Sequence, residues 1–511
     1  MTKALMIQGT SSHAGKSVLA AAFGRWLKEQ GLRVAPFKAQ NMSLNSFVTR
    51  QGEEIARSQA TQAHVLDLEP SADMNPILLK PMDHGCQVIV QGKPAGIMSI
   101  QDYYAFKPQA WRAITESYHR LAADYDAIVL EGAGSPAEIN LGDHDLVNMR
   151  MAHHADAAVI LVADIERGGV FAQLIGTWEL LKQEDRARVV GFLINKFRGD
   201  ATLLDSGLEQ VRQWTGRPVL GVLPYDPAVQ LDEEDSLGLP PEAASAEIEV
   251  AVLRLPGISN FTDFAALARV PHLAVRYVSE PGQLYSPDLL VLPGTRTTLR
   301  ALAWMKANGW VEAIRRLSAD HKGVSNNGGP LILGLCGGMQ LLGRSIEDPE
   351  GVESSAGRAE GLGLLEVDTR FGPTKMLYRV EGDVIGTRPW GLGCSVIGYE
   401  VHQGVSRRRK GTSAWLRLRR QPGDELMHDG AISQDGRIAG TYVHGLFDDA
   451  RFCCALVDLL RRRGGLPPLE AHAWLSQREF WSRRYRRLAG WLQEHCDLRP
   501  VSQALGLRLQ S

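Results

Sequence analysis

Ala4-Leu5-Met6-Ile7-Gln8-Gly9-Thr10-Ser11-Ser12-His13-Ala14-Gly15-Lys16-Ser17 opens the chain, and Val18–Gln30 follows with a helical pattern. An apolar run that ends in glycine and enters a helix reads as a strand–loop–helix unit. Glycine lets the loop's backbone N–H groups turn toward phosphate oxygens, and the helix N-terminus adds the positive end of its dipole. Lys16 brings a point charge to the outer phosphates, and the Ser17 hydroxyl is a natural Mg²⁺ ligand. Gly9, Thr10, Gly15, Lys16 and Ser17 are therefore the expected nucleotide-binding residues. The spacing from Gly9 to Gly15 is one residue longer than the common G-x4-G-K-[ST] pattern.

The alternation that begins here recurs. Ala127–Leu130, Ala157–Val162 and Val189–Ile194 are short apolar runs with helical stretches such as Trp111–Ala123 between them. Near-continuous apolar character is expected of parallel strands covered on both faces. Four consecutive acids, Asp232–Asp235, and a Pro-rich stretch then break the pattern, and it restarts at Ile248–Leu253, Leu289–Leu292 and Leu331–Leu335. The expected fold is two doubly wound α/β domains, each on a mainly parallel sheet, followed by a helical tail. The predicted divisions are 1–235, a linker at 236–247, a second domain at 248–450 and a helical extension at 451–511. In that extension Trp474, Trp481, Tyr485, Leu488 and Leu492 recur near helical spacing, so its arginines read as the outer face of an amphipathic helix.

The chain's 511 residues are 44% hydrophobic and 22% charged, which is globular composition. Lys and Arg number 56 against 58 acids, so the basic excess of a nucleic-acid binder is missing. No apolar stretch is long enough to span a membrane, and the N-terminal apolar run is too short for a secretory signal. The six cysteines lack the paired spacing of a disulfide framework or a zinc ribbon. These features read as a cytoplasmic protein with neither membrane nor nucleic acid as partner.

A second site is built on Leu331-Ile332-Leu333-Gly334-Leu335-Cys336-Gly337-Gly338-Met339-Gln340. A cysteine on a tight strand-to-helix turn is exposed above the sheet, and the helix N-terminus favours its thiolate. Gly337 and Gly338 offer N–H donors for an oxyanion. A nucleophilic cysteine needs a base, and His444 directly follows the strand-like run Gly440–Val443. Leu289–Leu292 ends in Pro293-Gly294, which makes Gly294 a second oxyanion donor.

The longer phosphate loop resembles the dethiobiotin synthetase branch of P-loop proteins, which phosphorylate carboxylates. That resemblance implies that Glu131, directly after Ala127–Leu130, is a Mg²⁺ ligand, and that Asn195 reads the nucleotide base. The Pro-Gly turn, the Cys-Gly-Gly-x-Gln elbow and the late histidine, in that order, resemble a class I glutamine amidotransferase. By that resemblance Cys336 attacks the glutamine amide, forms a glutamyl thioester and releases ammonia, with His444 moving the proton. Many such domains carry a glutamate two residues after the histidine. Here that position is Leu446, so either another group orients His444 or the pair works alone.

Joined on one chain, the two halves describe an ATP- and glutamine-dependent amide synthase. Lys38–Asn45, Asn75–Pro81, Glu131–Leu141, Asp164–Val170 and Gly398–Gly404 resemble the cobyric acid synthase family of cobalamin biosynthesis. The resemblance implies amidation of the b, d, e and g carboxylates of adenosylcobyrinic acid a,c-diamide, with ATP, Mg²⁺ and glutamine and no bound prosthetic group. Lys38, Asn41 and Lys80 are the candidates to touch the corrinoid or its acyl phosphate, with Asn45, Glu166 and Arg167 beside them in the same segments. His402 reads as a packing residue. The alternatives are the sister cobyrinic acid a,c-diamide synthase and a nucleotide-switched binding protein carrying a degenerate amidotransferase domain. The sister family resembles a Gly-Pro-Asp-Tyr motif where this chain has Ala39-Gln40-Asn41-Met42-Ser43.

Overall fold

The computed structural model describes residues 2–507 except 83–84, 230, 232–245, 320–328, 355–356, 388, 422 and 470–476; side chains at 143, 477–481 and 483 are also left undescribed. The expected linker at 236–247 falls almost wholly outside these residues, as does Trp474. The chain forms two compact units, neither contiguous in sequence. The first comprises Met1–Ser43, Glu53–Asp232 and Trp481–Ser511, and the second Leu44–Gly52 and Glu233–Phe480.

In the first unit six parallel strands run in the order Val219–Pro224, Val189–Phe197, Ala158–Asp164, Lys3–Gly9, Ala127–Glu131, Val34–Phe37. The central strands Lys3–Gly9 and Ala127–Glu131 are almost wholly buried, as their unbroken apolar character requires. The chain lays Val34–Phe37 and Ala127–Glu131 on one side of Lys3–Gly9, then crosses to Ala158–Asp164 on the other. This reversal opens a crevice at the strands' carboxyl ends, where ligands bind in open α/β sheets. The phosphate loop, Glu131 and Asp164 all lie at those ends. A side layer of four strands, Gln40–Met42, Ile77–Met82, Gly85–Val90 and Lys93–Met98, packs beside helix Ile100–Asp124.

The C-terminal stretch returns to this unit. Tyr485, Leu488 and Leu492 are buried, matching the amphipathic pattern. Beyond them Cys496 bridges Gly221 in antiparallel fashion, and Asp497 N–H donates to Leu220 C=O at 2.7 Å. The tail thus covers the exposed backbone of edge strand Val219–Pro224.

The second unit's main sheet runs Leu273–Val278, Ile248–Leu253, Leu289–Leu292, Leu331–Leu335, Ile438–Thr441, Ala431–Ile432. All pairs are parallel except the last. A second, largely antiparallel sheet is dominated by the long hairpin Val367–Val384 and Ser395–Arg408. Helix Ala450–Arg463 buries Phe452, Leu456, Val457 and Leu460 in this unit's core.

Helix Gly337–Leu342 lies directly on the sheet. A Cβ on Gly338 would sit 1.8 Å from the Leu292 carbonyl oxygen. Backbone cannot yield as a flexible side chain does, so Gly338 is required by close approach. Gly338→Ala is therefore expected to destabilise the second unit by about 3 kcal/mol or more. By calorimetry its Tm falls by roughly 6 °C or more, and an unchanged Tm would refute the packing argument.

Candidate functional site

The first unit's site starts from the loop between Lys3–Gly9 and helix Lys16–Glu29. Gly15 has φ +96°, and a Cβ there would lie 2.0 Å from the Asn195 amide nitrogen. Asn195 is buried and donates to the Ala14 carbonyl at 3.0 Å, so its side chain braces the loop. Thr10 Oγ1 donates to Gln173 Oε1 at 3.1 Å, and Thr10 N–H to the Val162 carbonyl at 2.8 Å. Lys16 Nζ donates to the Ser11 carbonyl at 2.9 Å and to the Gly134 carbonyl at 3.1 Å. The ammonium therefore spans from its own loop to the loop that follows Glu131.

Glu131 is the hub of this site and is 2% exposed. Its Oε1 accepts from Ser17 Oγ at 2.9 Å and from Lys38 Nζ at 2.8 Å, while Oε2 accepts from Gln62 Nε2 at 2.5 Å. A buried carboxylate needs such compensation, because leaving the charge unpaired costs several kcal/mol. Gln62 Oε1 is buried with no hydrogen-bond partner among the described residues. Ser17 Oγ and the Glu131 oxygens are hard donors of the kind that suits Mg²⁺, and the orphaned amide oxygen of Gln62 adds another oxygen on a residue that adjoins them.

The other expected contacts divide. Lys38 reaches the hub. Lys80 instead pairs with buried Glu54 at 2.7 Å, and Asn41 Nδ2 donates to Ser58 Oγ at 3.2 Å and Gln59 Oε1 at 2.9 Å. Both are buried polar groups satisfied within the protein. Asn45 belongs to the second unit. Asp164, at its strand's end, pairs with Lys196 at 3.0 Å, and Glu166 with Arg198 at 2.8 Å. Arg167 is exposed.

In the second unit Cys336 leaves strand Leu331–Leu335 with φ +51° and ψ −110°. A non-glycine residue held there is strained, and the surrounding structure fixes it. Its N–H donates to the Thr441 carbonyl at 2.8 Å, tying it to the strand that leads to His444. Its Sγ lies 3.8 Å from the Val401 carbonyl. A Cβ on Gly337 would be 3.1 Å from the Thr295 nitrogen, and one on Gly294 would be 3.0 Å from His444 Cε1. Both glycines thus border Cys336 and His444.

His444 is 1% exposed, and its Nδ1 donates to Asp263 Oδ2 at 2.7 Å. Asp263 Oδ1 also accepts from Gly445 N–H at 3.1 Å. One carboxylate therefore fixes both the ring and its backbone, and leaves Nε2 for Cys336. Burial alone would lower the imidazole pKa. The Asp263 charge and hydrogen bond, joined by the contact with Cys336, outweigh it and raise the pKa to about 10. Asp263 supplies the orienting group absent at Leu446, whose side chain is buried in the core. It lies in a short 3₁₀ turn, Phe261–Phe264, distant in sequence. The available signal was an acid in the loop beyond strand Ile248–Leu253. His402 stacks on Tyr442 with centroids 3.7 Å apart and meets the Gly404 carbonyl through Nδ1 at 2.8 Å. Burial pushes its pKa down to about 3, so it is a neutral packing group.

Residues 249–452 match the model of the CobB/CobQ-like glutamine amidotransferase domain, and residues 5–238 that of the CobQ/CobB/MinD/ParA nucleotide-binding domain. The chain is 45% identical to a cobyric acid synthase of Yersinia enterocolitica, covering 98% of this chain and 97% of that protein. It is 46% identical to one of Pelotomaculum thermopropionicum, covering 99% and 97%.

Asp263→Asn keeps the shape but removes the charge, while the burial of His444 remains. The His444 pKa is expected to fall from about 10 to below its ordinary 6.5. An imidazole NMR titration reads this directly. The sign for stability follows: the folded-state value is raised, so the pair's contribution is full below about pH 6.5 and fades as pH rises through about 10. The variant loses that dependence.

Proposed function

The chain belongs to the cobyric acid synthase family, and from that premise we propose how its two sites divide an ATP- and glutamine-dependent amidation of a corrinoid. The observation that carries the division is the Cys336–His444–Asp263 constellation in one unit and the Lys16–Ser17–Glu131 constellation in the other. The intact first constellation argues against a degenerate amidotransferase domain. The substrate is adenosylcobyrinic acid a,c-diamide, and the groups amidated are its b, d, e and g carboxylates.

In the glutaminase unit, the Cys336 thiolate attacks the amide carbon of glutamine. Gly294 and Gly337 N–H groups stabilise the oxyanion. Imidazolium His444 gives its Nε2 proton to the leaving nitrogen, and ammonia departs. The neutral imidazole then takes a proton from water, whose oxygen attacks the thioester, and glutamate leaves with the thiolate restored. Asp263 keeps Nδ1 protonated throughout.

In the first unit, a substrate carboxylate oxygen attacks the γ-phosphorus of ATP. ADP leaves and an acyl phosphate forms. Ammonia then attacks the acyl carbon and phosphate departs, leaving an amide. This activation is needed because a free carboxylate does not react with ammonia. Gly9, Thr10 and Gly15 shape the phosphate cradle, which Asn195 braces, and Lys16 balances charge on the transferred group. Mg²⁺, when bound, neutralises phosphate oxygens; Ser17, Glu131 and Gln62 would hold it. Lys38, whose ammonium pairs with Glu131, would bring a second positive charge to the phosphate or the carboxylate. Asn41 and Lys80 support this wall from their buried pairs. Absence of a membrane-crossing helix among the described residues and near-zero net charge fit a small-molecule substrate handled in the cytoplasm.

Two variants separate the halves. Cys336→Ala is expected to abolish amidation from glutamine yet keep it from added ammonium, whereas Lys16→Ala loses both. The measurement is mass spectrometry of adenosylcobyrinic acid a,c-diamide incubated with ATP-Mg²⁺ and amide-¹⁵N glutamine. Wild type should give stepwise ¹⁵N products. Conversion of only the unamidated acid would assign the sister reaction instead.

A further inference from the structure

Residues 44–52 lie within the N-terminal half of the sequence but belong to the second unit. Strand Ser46–Val48 is fully buried and lies against both strands of the long hairpin. Ser46 N–H donates to Asn260 Oδ1 at 2.9 Å. Asn260 has φ +51° and caps the turn Phe261–Phe264 that carries Asp263. One residue on, the Phe47 ring meets Tyr399 with centroids 5.7 Å apart, and the Arg379 guanidinium lies over the same Phe47 ring, 5.2 Å from its centroid. Tyr399 in turn stacks on His444, at 5.7 Å and 23° between planes, and is its register partner across the sheet.

Both restraints on the base therefore trace back to two adjacent residues of this segment. One route passes through backbone N–H, Asn260 and the Asp263 turn. The other passes through Phe47, Tyr399 and the face of the imidazole. The partners of its two nitrogens, Asp263 and Cys336, act in the plane of the ring and so set its direction without packing against its faces. The stacked Tyr399 supplies that packing, and Phe47 holds Tyr399 in place. Aromatic contacts of this kind carry geometric preference as well as burial.

We infer that Ser46 and Phe47 are positioning residues of the glutaminase site, setting the orientation of His444 through Tyr399 and Asn260. The inference rests on the glutaminase reading of Cys336 and His444. The same segment directly continues the stretch of chain that holds Lys38 and Asn41.

The test uses the full-length protein with glutamine alone, measuring glutamate release, beside amidation driven by ammonium. Phe47→Ala is expected to lower kcat for glutamine about tenfold or more. KM for glutamine and the ammonium-driven rate should stay within about twofold, since neither needs an aligned imidazole. The pH profile of Cys336 alkylation by iodoacetamide should shift, because the thiolate–imidazolium pair is loosened. Phe47→Tyr, which keeps the ring, should restore all three. Asn260→Gly tests the route through the Asp263 turn without backbone strain and should lower kcat in the same sense, also where Phe47→Ala does not fold. Wild-type kcat and pH profile in both variants would overturn the inference. So would parallel loss of the ammonium-driven rate. Failure of the wild type itself to release glutamate would instead overturn the glutaminase reading.

Discussion

An imidazolium is not stable out of water unless an anion accompanies it, and His444 is almost completely enclosed. The Asp263 carboxylate is what makes the enclosure tolerable, and it constrains everything around it. The turn that carries Asp263 must meet the strand that carries His444. The strand ending at Thr441 must accept the Cys336 N–H. The elbow must approach the Pro293-Gly294 turn closely enough to exclude a side chain at Gly337 or Gly338. Each requirement fixes one segment against the next, so the strained backbone of Cys336 is held from three sides.

The first unit solves a related problem at Glu131. Here the buried charge is an anion, and Lys38, Ser17 and Gln62 satisfy it together. The arrangement is poised rather than closed. The Lys38 pairing balances the carboxylate, yet Gln62 keeps an amide oxygen unsatisfied among the described residues, and oxygen donors of this kind suit a hard cation. Lys16 is likewise held by carbonyls of two loops, acceptors whose place phosphate oxygens can take. Polar groups that are paired but exchangeable are what a site handling charged, transient species needs.

Much of this was legible in the residues. The two α/β halves follow from unbroken apolar runs, each ending in glycine. Cys336 was identifiable because glycines follow it at a strand–helix junction, and Lys16 because Gly-Lys-Ser stands at another. What local pattern could not supply was Asp263. An acid in a short turn carries no periodicity and no motif, and it acquires meaning only when folding brings it 2.7 Å from an imidazole 181 residues away. The partners of Lys80 and Asn41 were hidden for the same reason. Their residue types suggested ligand contacts, but Glu54, Ser58 and Gln59 already satisfy them.

The sequence by itself determined the strand–loop–helix units, the residues that could serve as nucleophile, base and phosphate-binding cation, and the order of the two halves. These depend on local sterics and short-range spacing, which a linear reading preserves. Only the tertiary structure decided that residues 44–52 belong with the second unit, that the C-terminal tail covers an edge of the first, and that Asp263 completes the site around His444. Those outcomes depend on which buried charges and unpaired backbone groups find partners across long loops. That pairing is settled by desolvation in three dimensions, and the spacing of residues along the chain carries no record of it.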